Sequence, residues 1–201
     1  MPFPDEDVVK RVLAIDDRDR TCRRVVEYGW RGVQEKYPDI VWWRRKGTRA
    51  AVMWENTVDN AIAAFIGKPG IRHIPHHDTA SFIFDDTVLV RFKLASVGLH
   101  TSNYPTSLAQ LFHRHEEEDL FGFKGHHRVE IVHVINRFGT GLDWVGVVAR
   151  ERRKILWEFE LPPSGAVVEV MPTKPKLSPA ADSVLRPIKP EKDKESDKKG
   201  E

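Results

Sequence analysis

Thr87-Val88-Leu89-Val90-Arg91-Phe92-Lys93-Leu94 is the stretch on which the fold turns. In a β-strand successive side chains point to opposite faces, so Val88, Val90, Phe92 and Leu94 share one side while Thr87, Leu89, Arg91 and Lys93 share the other. One side is unbroken hydrocarbon and the other carries two cations, the pattern of a strand covered by a core on one face. Residues 81–84 just upstream have the same β-branched and aromatic character, and Asp85-Asp86 between the two runs is a turn signal.

Working outward, three further strands are expected at residues 128–136, 142–149 and 154–161. In the last, Ile155, Trp157, Phe159 and Leu161 alternate with Lys154, Leu156, Glu158 and Glu160. Gly139-Thr140-Gly141 and the corner at residues 150–153 are short enough for hairpins. Strands that follow one another without an intervening helix predict an antiparallel meander.

Towards the N-terminus the period changes to 3.6. Val8, Val9, Val12 and Leu13 form one helical stripe, and Cys22, Val25, Val26, Trp30 and Val33 form another, ended by Pro38. The β-branched and aromatic residues 40–44 read as a strand, with Lys46-Gly47 as a turn. A helix capped by Thr57 follows, with Val58, Ala61, Ile62, Phe65 and Ile66 inward, Gly67 just past its end and Pro69 beyond. Pro105 opens a last helix, to about Asp119. The expected fold is α+β: an antiparallel meander of about five to seven strands covered on one face by three or four helices.

Residues 1–161 are expected to form this single domain. Residues 162–201 hold seven of the 13 prolines and end in interleaved lysines and acids, a composition that cannot repay ordering entropy, so a disordered tail is expected. Val167, Val168 and Val170 form at most one short strand. The charge, 32 Lys+Arg against 30 Asp+Glu, is too balanced to announce a polyanion partner. One cysteine, Cys22, rules out an intrachain disulfide. No signal peptide and no membrane span are read, so the expected location is cytoplasmic.

Familiar chemistry is tested and set aside. Of the nine histidines, His113 and His115 point about 200° apart on a helix and cannot share a metal, while His76-His77 and His126-His127 are adjacent pairs in loops. No metal and no cofactor is expected. Cys22 sits on an apolar stripe as a small hydrophobe. A nuclease pattern around Asp85-Asp86 and Lys93 fails because Arg91 stands where a carboxylate is needed. Arg18, Arg20, Arg23, Arg24 and Arg31, with Arg44, Arg45, Lys46 and Arg49 beside Trp42-Trp43, form a basic and aromatic series that nucleic acid could use. Interspersed Asp16, Asp17, Asp19, Glu27 and Glu35 instead indicate a solvated helix face.

The segment singled out for binding is residues 91–106. It joins Arg91 and Lys93 to a polar loop containing His100, Thr101, Ser102, Asn103 and Thr106, and a helix start follows. Val-Leu-Val-Arg-Phe-Lys at 88–93, Tyr-Pro-Thr at 104–106, Arg-Val-Glu-Ile-Val-His-Val-Ile-Asn at 128–136 and Val-Gly-Val-Val-Ala-Arg at 145–150 resemble an uncharacterised group of bacterial proteins. Its members accompany helix-turn-helix regulators fused to zinc-peptidase-like domains in modules similar to toxin–antitoxin pairs. The resemblance implies a protein partner encoded nearby and a non-enzymatic, interaction role. The alternative is a nucleotide- or nucleic-acid-directed enzyme or toxin in which Arg91 and Lys93 hold phosphate and His100 or His133 serves as acid or base.

Overall fold

Asp5 begins the first helix: its carboxylate accepts from the Val8 N–H at 2.9 Å, and Glu6 and Asp7 place negative charge on the helix's positive end. The computed structural model describes residues 3–76, 79–101, 112, 113, 115 and 125–165. Helix α1 (Glu6–Ala14) buries Val9, Val12 and Leu13. Asp16 and Asp17 then both take left-handed backbone angles, and the chain turns into α2 (Arg18–Lys36), whose apolar stripe from Cys22 to Val33 is buried as its period predicts.

The expected strand at 40–44 is instead a single 3₁₀ turn, Ile40–Trp42. Ile40 goes into the core while Trp42 stays 84% exposed, so the segment has one buried anchor and no strand face. Helix α3 (Lys46–Phe65) starts eleven residues before the expected cap. Thr57 lies mid-helix, its hydroxyl donating to the Met53 carbonyl at 2.9 Å. Lys46-Gly47 is a helix start and not a turn, and no close contact requires the glycine, since a Cβ at Gly47 would meet nothing within 4 Å.

Six strands form one sheet in the order β1 (Ile71–His76), β2 (Thr79–Phe84), β3 (Val88–Ala95), β4 (His127–Ile135), β5 (Leu142–Glu151), β6 (Lys154–Glu160). The α+β class holds, but the sheet is mixed. β3 and β4 run parallel, in register from Val88 with His127 to Ala95 with Val134, and the other neighbours are antiparallel. A parallel neighbour needs a crossover of a dozen or more residues, and the chain between Ala95 and His127 is long enough to return to the starting end. The helix expected from Pro105 lies outside the described residues apart from Phe112, His113 and His115. Strand β1 was not expected at all; Pro75 interrupts its pattern at the sheet edge, where a missing N–H is tolerated.

Phe82, Phe84, Val88, Val90 and Phe92 meet α2 and α3 in the main core, joined by Val129, Ile131, Val145 and Val147. Each such burial contributes roughly 1.5–3 kcal/mol. The Asp85-Asp86 turn, with φ of 47° at both residues, joins β2 to β3 as expected. It also receives Arg18: the guanidinium grips Asp85 with both amines, at 2.5 and 3.1 Å, and is 5% exposed. Arg18 thus leaves the basic series for a structural tie between α2 and the sheet.

Among the described residues no helix is long and apolar enough to cross a membrane. The chain divides into Met1–Met171 and Pro172–Glu201; the second unit, the tail beyond residue 165 and the strand considered at Val167–Val170 all lie outside the described residues.

Helices α2 and α3 close up at Gly29. A Cβ there would stand 2.7 Å from the Thr57 hydroxyl oxygen and 3.0 Å from its backbone. Glycine's lower helix propensity costs about 1 kcal/mol, yet Gly29→Val is expected to lower stability by roughly 1–3 kcal/mol through overpacking. Urea unfolding of the two proteins measures it; equal midpoints would show that the helices separate freely.

Candidate functional site

The sheet face away from the helices is unusual. Register brings Arg91 on β3 beside Glu130 on β4, and alternation puts Lys93, Arg128 and Arg150 on the same side. Glu130 is 1% exposed. Its Oε2 accepts from Arg150 Nε at 2.7 Å and from the Thr101 hydroxyl at 3.4 Å, and its Oε1 stands 3.4 Å from His113 Nε2. Arg150 also donates to the Leu99 carbonyl.

Arg91 is built into this arrangement. It is 4% exposed, donates from Nε to the Ser81 hydroxyl at 3.0 Å, and lays its guanidinium 4.3 Å from the Phe112 ring centroid. Burial pushes its pKa down to about 10, against the pull of Glu130. Lys93 is half-buried and likewise lowered by burial. Two hydrogen bonds further fasten the crossover to the sheet beside the Phe112–Arg91 stack: His115 Nε2 meets the Arg150 carbonyl at 2.5 Å, and the His113 carbonyl accepts from Arg152 N at 3.0 Å. Of the residues singled out in the sequence, the structure gathers Arg91, Lys93 and Thr101 around Glu130. His100 stands exposed on the turn after β3, where its carbonyl accepts from Ser96 N. Ser102, Asn103 and Thr106 lie outside the described residues.

His133, considered as an acid or base, occupies the opposite face. It is 1% exposed, its cross-strand neighbours are Leu94 and Val145, and neither ring nitrogen has a hydrogen-bond partner among the described residues. Burial pushes its pKa down to about 4, so it is neutral at physiological pH.

A second place emerges where β3 and β4 end together. A cleft of about 390 Å³ is floored by Leu94, Ser96, Ile135 and Asn136 and backed by Trp30 and Ile40. Helix α3 contributes Lys46 and Arg49, and the β4–β5 turn contributes Arg137 and Phe138. No carboxylate is among the described residues that line it. The first turn of α3 contains no acid, and no side chain caps it, so its positive end is offset by none of its own residues. Phe138 lines the cleft and is 67% exposed; Trp42 and Val97, 84% and 80% exposed, lie within two residues in sequence of the lining residues Ile40 and Ser96. His133 lies directly beneath, since Leu94 pairs with it and Ile135 follows it on the same face.

The turn carrying Arg137 and Phe138 is rigid. Asn136 accepts from Thr140 N at 2.9 Å, donates to the Thr140 hydroxyl at 3.0 Å, and its carbonyl accepts from Gly139 N at 2.9 Å. Sequence reasoning passed over Arg137 and Phe138; an aromatic residue at the tip of a hairpin between two strong strands was the available signal. It did single out Lys46, Arg49 and Trp42, and read them as a solvated face.

Compared with known proteins, the chain matches no family model, no curated protein and no solved structure. Function has to be argued from these two places alone.

Two outcomes follow from the buried groups. Glu130→Ala strands Arg150 in a low dielectric and is expected to cost about 3–5 kcal/mol in chemical denaturation; a loss under 1 kcal/mol would mean the network is not structural. His133 titrates near 6.5 when unfolded and about 4 when folded, so the unfolded chain takes up the proton first as pH falls. Stability is complete above pH 6.5 and falls by up to about 3 kcal/mol towards pH 4 on this account. His133→Leu should make that decline shallower, and an unchanged slope in pH-dependent melting would refute the assignment.

Proposed function

We propose that the protein binds a phosphate-bearing anion in the cleft at the carboxyl ends of β3 and β4. One observation carries the reading: Lys46 and Arg49 from α3 and Arg137 from the β4–β5 turn line a single concavity that has no carboxylate among its described lining residues. A volume of about 390 Å³ is within the range of small-ligand sites. The cations are arranged for an oxyanion, and the open N-terminus of α3 adds backbone N–H groups and a favourable dipole.

This is the nucleotide- or nucleic-acid-directed alternative, moved to different residues. Arg91 is withdrawn beneath Phe112 and engaged with Ser81, which favours a role in holding the crossover over one in meeting a macromolecule. The partner-protein reading that the family resemblance implies keeps one supporting observation: Val97, next in sequence to the lining residue Ser96, is 80% exposed and has no use for an anion. Its occupant would be an acidic surface of the neighbouring gene's product.

Isothermal titration with inorganic tripolyphosphate is the test. Binding is expected to weaken with added salt and to fall by about tenfold or more in Lys46→Glu and in Arg137→Glu, with unfolding midpoints unchanged. No binding, or binding indifferent to both substitutions, overturns the reading. Val97→Gln separates the second one: it removes the apolar contact without adding charge, so it should abolish co-purification with the neighbouring gene's product and leave the tripolyphosphate titration as it was.

A further inference from the structure

We infer that the anion is the backbone of a single-stranded nucleic acid, with a phosphate in the cleft and bases stacked on the aromatic residues at its rim. The inference rests on the anion reading of the same cleft and adds what surrounds it.

Isolated exposed hydrophobic residues are ordinary on protein surfaces. Here Phe138 lines a cationic cleft, and Trp42 lies two residues from Ile40 and four from Lys46, both of which line it too. Free phosphate or an acidic peptide makes no use of exposed rings. A base does, because every base has a π-face, and cationic grooves interleaved with aromatic side chains are the means by which single strands are held without sequence preference. A duplex keeps its bases paired and its faces covered, so it gains only the phosphate contacts.

The geometry supports a strand rather than one nucleotide. Arg44, Arg45 and Lys46 are successive exposed cations in the chain between Trp42 and the cleft, and Arg137 lines the same cleft from the β4–β5 turn. Arg137 lies 4.5 Å from the centroid of the Phe138 ring, steadying one side of it and leaving the other to a base. Because Asn136 locks that turn, the ring is presented with little ordering cost on binding.

The full chain is titrated against fluorescein-labelled dT12 and U12, with unlabelled ATP and tripolyphosphate as competitors. Either oligomer is expected to bind at least about tenfold more tightly than ATP, since several stacked bases and phosphates add up. Affinity should drop steeply with salt. Trp42→Ala and Phe138→Ala should each weaken oligomer binding about fivefold or more and leave tripolyphosphate binding unchanged; Lys46→Glu should weaken both. Circular dichroism confirms that each variant is folded, as exposure of these side chains leads one to expect.

If ATP matches the oligomers, the ligand is a free nucleotide and the strand inference fails. If both aromatic substitutions leave oligomer affinity intact, stacking fails and with it the inference. Binding of tripolyphosphate without the oligomers removes the nucleic acid alone, whereas binding of neither removes the anion reading as well.

Discussion

Both the cleft and the buried charged centre depend on the parallel pairing of β3 and β4. Two parallel strands finish at the same edge of the sheet, so Leu94 and Ser96 lie beside Ile135 and Asn136 as one floor. Were the pair antiparallel, the end of β3 would meet the start of β4, and the β4–β5 turn with Arg137 would leave from the opposite edge. The same pairing sets Arg91 next to Glu130. A single choice of direction therefore creates both the open cationic cleft and the closed charged centre.

The two differ in what surrounds the charge. On the face away from the helices, Arg91, Arg150 and Glu130 are nearly excluded from water, with Arg150 bonded to Glu130 and the cluster held by Ser81, Thr101, the Leu99 carbonyl and the Phe112 ring. Groups held this way are costly to disturb, because a charge left behind has no solvent to turn to. At the cleft, Lys46 and Arg137 remain hydrated, so meeting an anion releases water and counterions and exposes no orphan. Buried charge holds the crossover to the sheet; exposed charge is available to a ligand.

Much of the architecture is legible in the residues. Strand signals in the residues mark five of the six strands, β6 through alternating apolar positions and β3, β4 and β5 although both of their faces are buried, and the 3.6 period marks α1 and the buried stripe of α2. Local signals fail where their physics is ambiguous. Thr57 resembles a cap because a threonine hydroxyl bonds backbone at a helix start and in a helix interior alike. Lys46-Gly47 serves a turn and an exposed first helical turn equally well. Of the cleft, sequence shows Trp42, Lys46 and Arg49 as neighbours of one another, but it places nothing opposite them.

Spacing along the chain fixes which sides of β3 and β6 are apolar, where the α2 stripe runs and which residues carry charge. Tertiary structure alone decided the direction of β4 against β3, the burial of Arg91 and Arg18, and the meeting of α3 with the Arg137–Phe138 turn. Those outcomes join residues tens of positions apart, and contacts of that range are selected by the packing of the whole core, which no local period records.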